Sequence, residues 1–181
     1  EAPAIAGSAR IPPAEQVESC RTLGRGLGYP ACCIEAFCRR VERRAHGDFA
    51  AVRDAWLPAA DFRLNNLLLA LRIRLITFEP CTYACEAARV YTTKLLALIV
   101  ARHPEDASDL VRKLARPVVV TPCGRRAIVR TEGGRIVAVD PVGVEDRELS
   151  ARLLGTTVAA DGTVGVEADE HGNVPVCIDF R

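Results

Sequence analysis

Two segments of this 181-residue chain contain a proline that is followed within a few residues by two cysteines. The first reads Gly-Tyr-Pro-Ala-Cys-Cys over residues 28–33, and the second reads Pro-Cys-Thr-Tyr-Ala-Cys over residues 80–85. Proline is favoured at the first position of a helix, and acidic residues such as Glu35 and Glu86 are favoured in the first turn. Each segment is therefore predicted to open a helix whose first turn carries thiols.

The thiols of these two helix starts are the candidate ligands of a metal centre. Unpaired backbone N–H groups and the positive end of the helix dipole lower the pKa of a thiol at such a position. Two helix starts that meet would supply four thiolates, from Cys32, Cys33, Cys81 and Cys85. Four thiolates suit either zinc or an iron–sulfur cluster.

The adjacency of the first two cysteines favours the cluster. Neighbouring residues are poorly placed to chelate one small tetrahedral ion, but they can reach two corners of a larger cluster. We therefore expect a [4Fe-4S] cluster as the cofactor, with Zn as the alternative.

The other four of the eight cysteines carry a weaker signal. Free cysteine is among the most buried residue types, so a single thiol is more often core than ligand. Cys38 and Cys20 fall on apolar stripes of predicted helices and are expected in the core, with Cys20 as a possible spare ligand. Cys123 lies in a predicted turn and Cys177 in the last predicted strand. The sequence is compatible with a disulfide between these two residues but does not require one.

The hydrophobic periodicity predicts an α+β fold, in which a helical N-terminal bundle of about five or six helices precedes a small antiparallel β region. The first helix starts near residue 13 and ends at the glycines of residues 24–28, and the others are predicted at residues 30–44, 49–57, 61–75, 80–103 and 104–114. Short β-type runs follow Pro117, with turn signals at Gly133-Gly134 and Asp161-Gly162. A brief helix is expected at residues 145–154 and a last strand at residues 174–180.

This pattern predicts three parts of the chain. Residues 1–13 are expected to form a flexible arm, residues 14–116 a helical, cysteine-rich domain that binds the metal or cluster, and residues 117–181 a small antiparallel β domain. Hydrophobic residues make up 49% of the chain, which supports a core without disulfide staples.

Charge and hydropathy restrict the partners. The formal net charge is +1, and the arginines of residues 39–44 are interleaved with Glu42 and lack aromatic neighbours, so nucleic acid is an unlikely partner. The most apolar stretch, residues 95–101, is far shorter than the ~20 residues of a membrane span. We expect a cytoplasmic protein without a membrane association, whose partner is a redox protein or a small-molecule substrate.

The first proline–cysteine segment, with Phe37 behind it, resembles a motif of a poorly characterised cysteine-rich prokaryotic family. That family carries an L-N-x-L-like helix and a P-C-S-x-x-C-like segment, which correspond here to residues 64–67 and 80–85. The second segment departs from the family pattern, because it reads P-C-x-x-x-C with Thr82 in place of serine. The resemblance implies shared cysteines and no particular reaction.

Three functions are compatible with these residues. The leading hypothesis is a protein with a four-cysteine metal centre in a redox, sensing or Lewis-acid role. The alternatives are a metal-free thiol–disulfide or sulfur-transfer enzyme and a structural zinc module for interactions. Whether the chain is an enzyme stays open, because it has no catalytic triad, paired-carboxylate signature or nucleotide fingerprint.

Overall fold

The structure, a computed structural model, describes residues 13–43, 59–68, 71–142, 147–168 and 174–180. Within these ranges the chain forms five α-helices and an antiparallel sheet, which confirms the α+β class. The helix predicted at residues 49–57 and nearly all of the arm predicted at residues 1–13 lie outside the described residues.

The helices predicted from residue 13 and at residues 30–44, 80–103, 104–114 and 145–154 are present with changed boundaries, as are strands after Pro117, whereas the strand at residues 59–60 was not predicted. The helices are α1 (Pro13–Gly26), α2 (Ala31–Glu42), α3 (Glu86–Arg102), α4 (Pro104–Leu114) and α5 (Arg147–Leu153). The strands are β1 (Ala59–Ala60), β2 (Val118–Val120), β3 (Arg126–Glu132), β4 (Arg135–Pro141) and β5 (Val176–Phe180). They form one sheet in the order β1-β5-β2-β3-β4, in which β1 is parallel to β5 and the other pairs are antiparallel.

Both faces of the sheet are buried. Because side chains alternate between the faces of a strand, neighbouring valines of β2 enter different cores. The face towards the cysteine segments carries Val118, Val120, Ile128, Ile178 and Phe180. The opposite face carries Val119, Ala127, Val129 and Cys177, and it packs against Leu149 and Leu153 of α5. The first of these faces therefore shares a core with Cys33 and Cys85.

Helices α1 and α2 form a hairpin with its own small core of Val17, Ile34, Cys38 and Val41. Gly24 permits their close approach, since a Cβ atom at this position would lie 2.8 Å from Cγ1 of Ile34. Helix α1 ends at Gly26, within the predicted glycine stretch of residues 24–28, and the turn that follows contains Gly28 at a φ of 71°.

The helix predicted at residues 61–75 does not form. A short 3-10 helix, Phe62–Leu64, is followed by irregular backbone among the described residues of this range. The side chain of Asn65 accepts a hydrogen bond from the Leu67 N–H at 3.1 Å and donates one to the Leu114 carbonyl at 2.8 Å. Asparagine side chains that bond locally to the backbone compete with helix formation, and these contacts end the helical pattern.

The helix predicted at residues 80–103 starts later, at Glu86. The Tyr83 carbonyl accepts a hydrogen bond from the Asp61 N–H at 2.9 Å, and the Thr82 hydroxyl accepts one from the Ala84 N–H at 3.3 Å. These bonds hold residues 80–84 in a turn, so the prediction that Cys81 lies in the first turn of a helix is wrong.

The main core joins residues from both sides of the predicted domain boundary at residues 116 and 117. Cys33, Leu64, Tyr83 and Cys85 share this core with the sheet, and the β1 residues 59–60 pair with β5. The five- or six-helix bundle is not confirmed, and the division into domains stays a prediction. Among the described residues, no helix has the length and apolar character that crossing a membrane requires.

Replacement of Asn65 by alanine is expected to destabilise the fold by about 2–3 kcal/mol, because it leaves the Leu114 carbonyl and the buried Leu67 N–H without their partner. Asn65 itself is 0% exposed. Urea unfolding measures the difference. Ser108→Ala, on the exposed surface of α4, is the control and should change stability by less than about 0.5 kcal/mol. Equal effects of the two substitutions would contradict the structural role of Asn65.

Candidate metal centre

The four predicted sulfur atoms lie together. The Sγ atoms of Cys32 and Cys85 are 3.5 Å apart, those of Cys33 and Cys85 are 3.7 Å apart, and those of Cys32 and Cys33 are 4.0 Å apart. With Cys81 included, all four sulfurs lie within 4.8 Å of one another. The arrangement is thus a compact group of four thiols that can bind a metal.

Three local structures position these sulfurs. Cys32 and Cys33 lie in the first turn of α2, as predicted, and Pro30 is the N-cap residue of that helix. Cys85 is the N-cap residue of α3, and Cys81 lies four residues earlier in the preceding turn. Two helix N-termini therefore meet at the site, but only three of the thiols belong to them.

The sulfurs differ in exposure. Cys33 and Cys85 are buried, Cys81 is half-buried and Cys32 is exposed to solvent. Cys33 and Cys85 also belong to the main hydrophobic core, with Cys81 packed against it. The site thus lies at the edge of the core and reaches solvent at Cys32.

Burial and backbone contacts move the thiol pKa values apart. Burial raises the pKa of Cys33 well above the ordinary value of a thiol, although the Cys81 N–H opposes this rise. Burial, assisted by the neighbouring thiols, raises the pKa of Cys81 to about 11. Burial acts in the same direction on Cys85, but the Ala88 N–H and hydrogen bonds from the other three thiols outweigh it and lower the pKa of Cys85. Of these three thiols, Cys85 is thus the one whose ionisation the local contacts favour.

The turn that carries Cys81 and Cys85 is anchored by Tyr83. This side chain is 2% exposed, its ring packs edge-on against Phe180 with the ring centres 5.3 Å apart, and its hydroxyl donates to Oδ1 of Asn66 at 3.0 Å. On the other side of the site, the buried Arg40 of α2 forms a 3.0 Å ion pair with Glu79, directly before Pro80. These contacts hold the two cysteine segments against each other.

The remaining cysteines lie elsewhere. Cys38 is 1% exposed and donates to the Val17 carbonyl, which confirms its assignment to the core. Cys20 packs beside the same core without joining the four sulfurs. Cys123 is exposed and Cys177 is buried. Both are free thiols, so the structure has no disulfide between them.

Two cavities were not apparent from the sequence. One, of about 300 Å³, lies between α1 and α2 and is lined in part by Cys33. The other, of about 500 Å³, is lined in part by Thr121, Cys123, Arg125 and Arg152. The hydrogen bond of the Thr121 hydroxyl, 3.1 Å from the sulfur, lowers the pKa of Cys123. The sequence signal for a thiol of lowered pKa was a cysteine in a turn that lies two residues after a threonine and two residues before an arginine.

The chain matches no protein-family profile, no curated protein sequence and no solved structure. The resemblance of the proline–cysteine segments to a cysteine-rich prokaryotic family stays a prediction.

Cys123 is expected to react with iodoacetamide at lower pH than an ordinary thiol, since its lowered pKa makes the thiolate available earlier as pH rises. Thr121→Val removes the hydroxyl and should shift the pH profile of alkylation to higher pH. Mass spectrometry of the Cys123 peptide after timed alkylation measures both profiles. Thr93→Val, an exposed threonine on α3, is the control, and a shift of equal size in this variant would refute the role of Thr121.

Proposed function

We propose that this chain is a metal-binding protein whose four cysteines hold a single tetrahedral ion, with Zn²⁺ as the first candidate. The observation that supports this proposal is the closeness of the sulfurs, with separations of 3.5, 3.7 and 4.0 Å and all four within 4.8 Å. The ligands would be Cys32, Cys33, Cys81 and Cys85.

The size of the sulfur group favours one ion over a cluster. Four sulfurs around a tetrahedral zinc are about 3.8 Å apart when each Zn–S bond is about 2.3 Å. In a [4Fe-4S] cluster each thiolate binds a different iron, so every sulfur–sulfur edge is longer by the iron–iron separation. A separation of 4.0 Å between the adjacent Cys32 and Cys33 also removes the objection that neighbouring cysteines are poorly placed to share one ion. The [4Fe-4S] cluster expected from the sequence stays a prediction.

A bound cation would stabilise the ionised form of these thiols. Burial raises the pKa of Cys33 and Cys81, so these thiols resist ionisation unless a positive charge stabilises their thiolates. A divalent ion supplies that charge, and the proteins that bind zinc through cysteine release the thiol protons as they do so. The N-termini of α2 and α3, together with the Cys81 N–H, are placed to stabilise the remaining negative charge.

The proposed role of the ion is to join the start of α2 to the turn before α3. Ion binding of this kind contributes directly to the free energy of folding. Cys32 is the exposed member of the set and would present a metal-bound thiolate to solvent. This thiolate is the point at which the centre can meet an oxidant or a competing metal ligand.

A metal-free thiol–disulfide enzyme is the second candidate. It is favoured by the 3.5 Å separation of Cys32 and Cys85 and by the lowered pKa of Cys85. The Cys85 thiolate would attack a substrate disulfide, and one substrate thiolate would leave and take up a proton. Deprotonated Cys32 would then attack Cys85 in the mixed disulfide, forming the Cys32–Cys85 disulfide and releasing the second substrate thiol.

Metal and acid-labile sulfide analysis of protein purified without oxygen distinguishes these candidates. One zinc per chain without sulfide is the result expected for a single-ion centre. About four irons and four sulfides per chain would contradict the single-ion centre and identify a [4Fe-4S] cluster. If the protein contains no metal and forms a disulfide between Cys32 and Cys85 on oxidation, the thiol–disulfide enzyme is supported instead.

Cys85→Ser is expected to lower the bound metal to well below one ion per chain and to reduce thermal stability, because the other sulfurs lose a ligand partner in a partly buried site. Cys38→Ala is the matched control, since Cys38 is equally a buried free thiol but lies in the α1–α2 core. It should cost only about 1–2 kcal/mol and leave the metal content unchanged. Equal metal loss in the two variants, measured by elemental analysis, would refute this choice of ligands.

A further inference from the structure

A cavity of about 300 Å³ shares one wall with the four-cysteine site. It lies between α1, α2 and residues 77–79, and the buried Cys33 of the proposed metal centre forms part of its lining. Its apolar walls are Leu23, Leu27, Tyr29, Ile34, Phe37 and Phe78. Small-molecule sites begin at about this volume and are lined mostly by apolar and aromatic side chains.

The polar groups of this cavity already have partners. The Tyr29 hydroxyl is hydrogen-bonded to the Thr77 hydroxyl at 2.6 Å. The Glu79 carboxylate is paired with Arg40 at 3.0 Å. Because a charged ligand would find no unpaired counter-charge among these groups, the chemistry of the walls selects a neutral molecule.

The rim of the cavity carries apolar surface that is open to water. Leu23 is 63% exposed and Leu27 is 50% exposed, although both side chains line the cavity. The aromatic wall is well formed, since the rings of Tyr29 and Phe78 lie 4.7 Å apart between their centres. A molecule that fills the space would cover the two leucines and stack beside the rings, which is favourable for apolar surface.

We propose that this cavity binds a small, neutral, apolar or aromatic molecule that packs against Cys33 of the four-cysteine centre. Occupancy of the cavity is independent of the metal. The contact between the bound molecule and a metal-ligating thiolate rests on the function proposed above.

The test of occupancy uses N-phenyl-1-naphthylamine, a neutral aromatic compound whose fluorescence rises in apolar surroundings. Titration of the full chain should show saturable binding of one molecule per chain. Leu27→Ser should weaken this binding about fivefold, because it removes apolar contact at the rim. Leu98→Ser is the matched control, since Leu98 is a 57% exposed leucine on α3 that does not line the cavity. Absence of saturable binding, or equal weakening by both substitutions, would overturn the proposal.

A second measurement locates the bound probe. Cys20 lines the same cavity without belonging to the four-sulfur group, so a bound molecule should slow its alkylation by iodoacetamide about threefold or more. The alkylation of Cys123 serves as the internal control and should not change. Unchanged alkylation of Cys20 at saturating probe would place the probe elsewhere and overturn the proposal.

The contact with the centre is tested on protein loaded with Co²⁺, whose thiolate absorption bands report on the ligand sulfurs. Saturation with the probe should shift these bands in the original chain. At a probe concentration equal to the Kd of the original chain, a fivefold weaker Leu27→Ser variant is about one-sixth occupied, so its bands should shift only about a third as much as those of the original chain. Bound probe without a band shift in cobalt-loaded protein would overturn the contact with Cys33. If the chain takes up no metal, the proposed function fails, whereas the fluorescence and alkylation results still decide the cavity.

Discussion

The burial of Tyr83 is the interaction on which the four-cysteine site depends. Its ring packs against Phe180 at the end of β5, its hydroxyl bonds to Asn66, and its carbonyl accepts the Asp61 N–H. Because Tyr83 stands between Cys81 and Cys85, these contacts fix a five-residue turn on the face of the sheet. The sheet thus positions the sulfurs of Cys81 and Cys85 close to the start of α2, in addition to forming part of the core.

The same geometry creates an electrostatic conflict that a cation would remove. Burial favours neutral thiols at Cys33 and Cys81, whereas the N–H groups of Cys81 and Ala88 favour the thiolates of Cys33 and Cys85, respectively. Among Cys33, Cys81 and Cys85, only Cys85 has its pKa lowered below the ordinary value of a thiol. The four sulfurs differ in this respect from Cys38, a buried thiol that packs in the α1–α2 core and does not belong to the group.

The closeness of these four thiols was predictable, because each pair of cysteines follows a proline within one short segment of the sequence. The start of α2 and the core position of Cys38 were also predictable from the local sequence. The helices at residues 61–75 and 80–85 were mispredicted because Asn65 and Tyr83 form hydrogen bonds to Leu114 and Asp61, which lie far away in the sequence. Periodicity describes one segment at a time and carries no record of such partners.

The sulfur separations also could not be foreseen, and they are the basis on which we propose a single ion. From the sequence, two adjacent cysteines argue against a single ion, since an average helix places their side chains about 100° apart. In the structure, Cys85 lies 3.5 Å from Cys32 and 3.7 Å from Cys33, so its sulfur bridges the gap between the two neighbours. Cys32 and Cys33 then form one edge of a compact group without having to face in the same direction. Since Cys32 is exposed and Cys33 is buried, this edge runs from solvent to the core. In the proposed single-ion centre, the Cys32 thiolate would therefore face water and the Cys33 thiolate would face the apolar cavity.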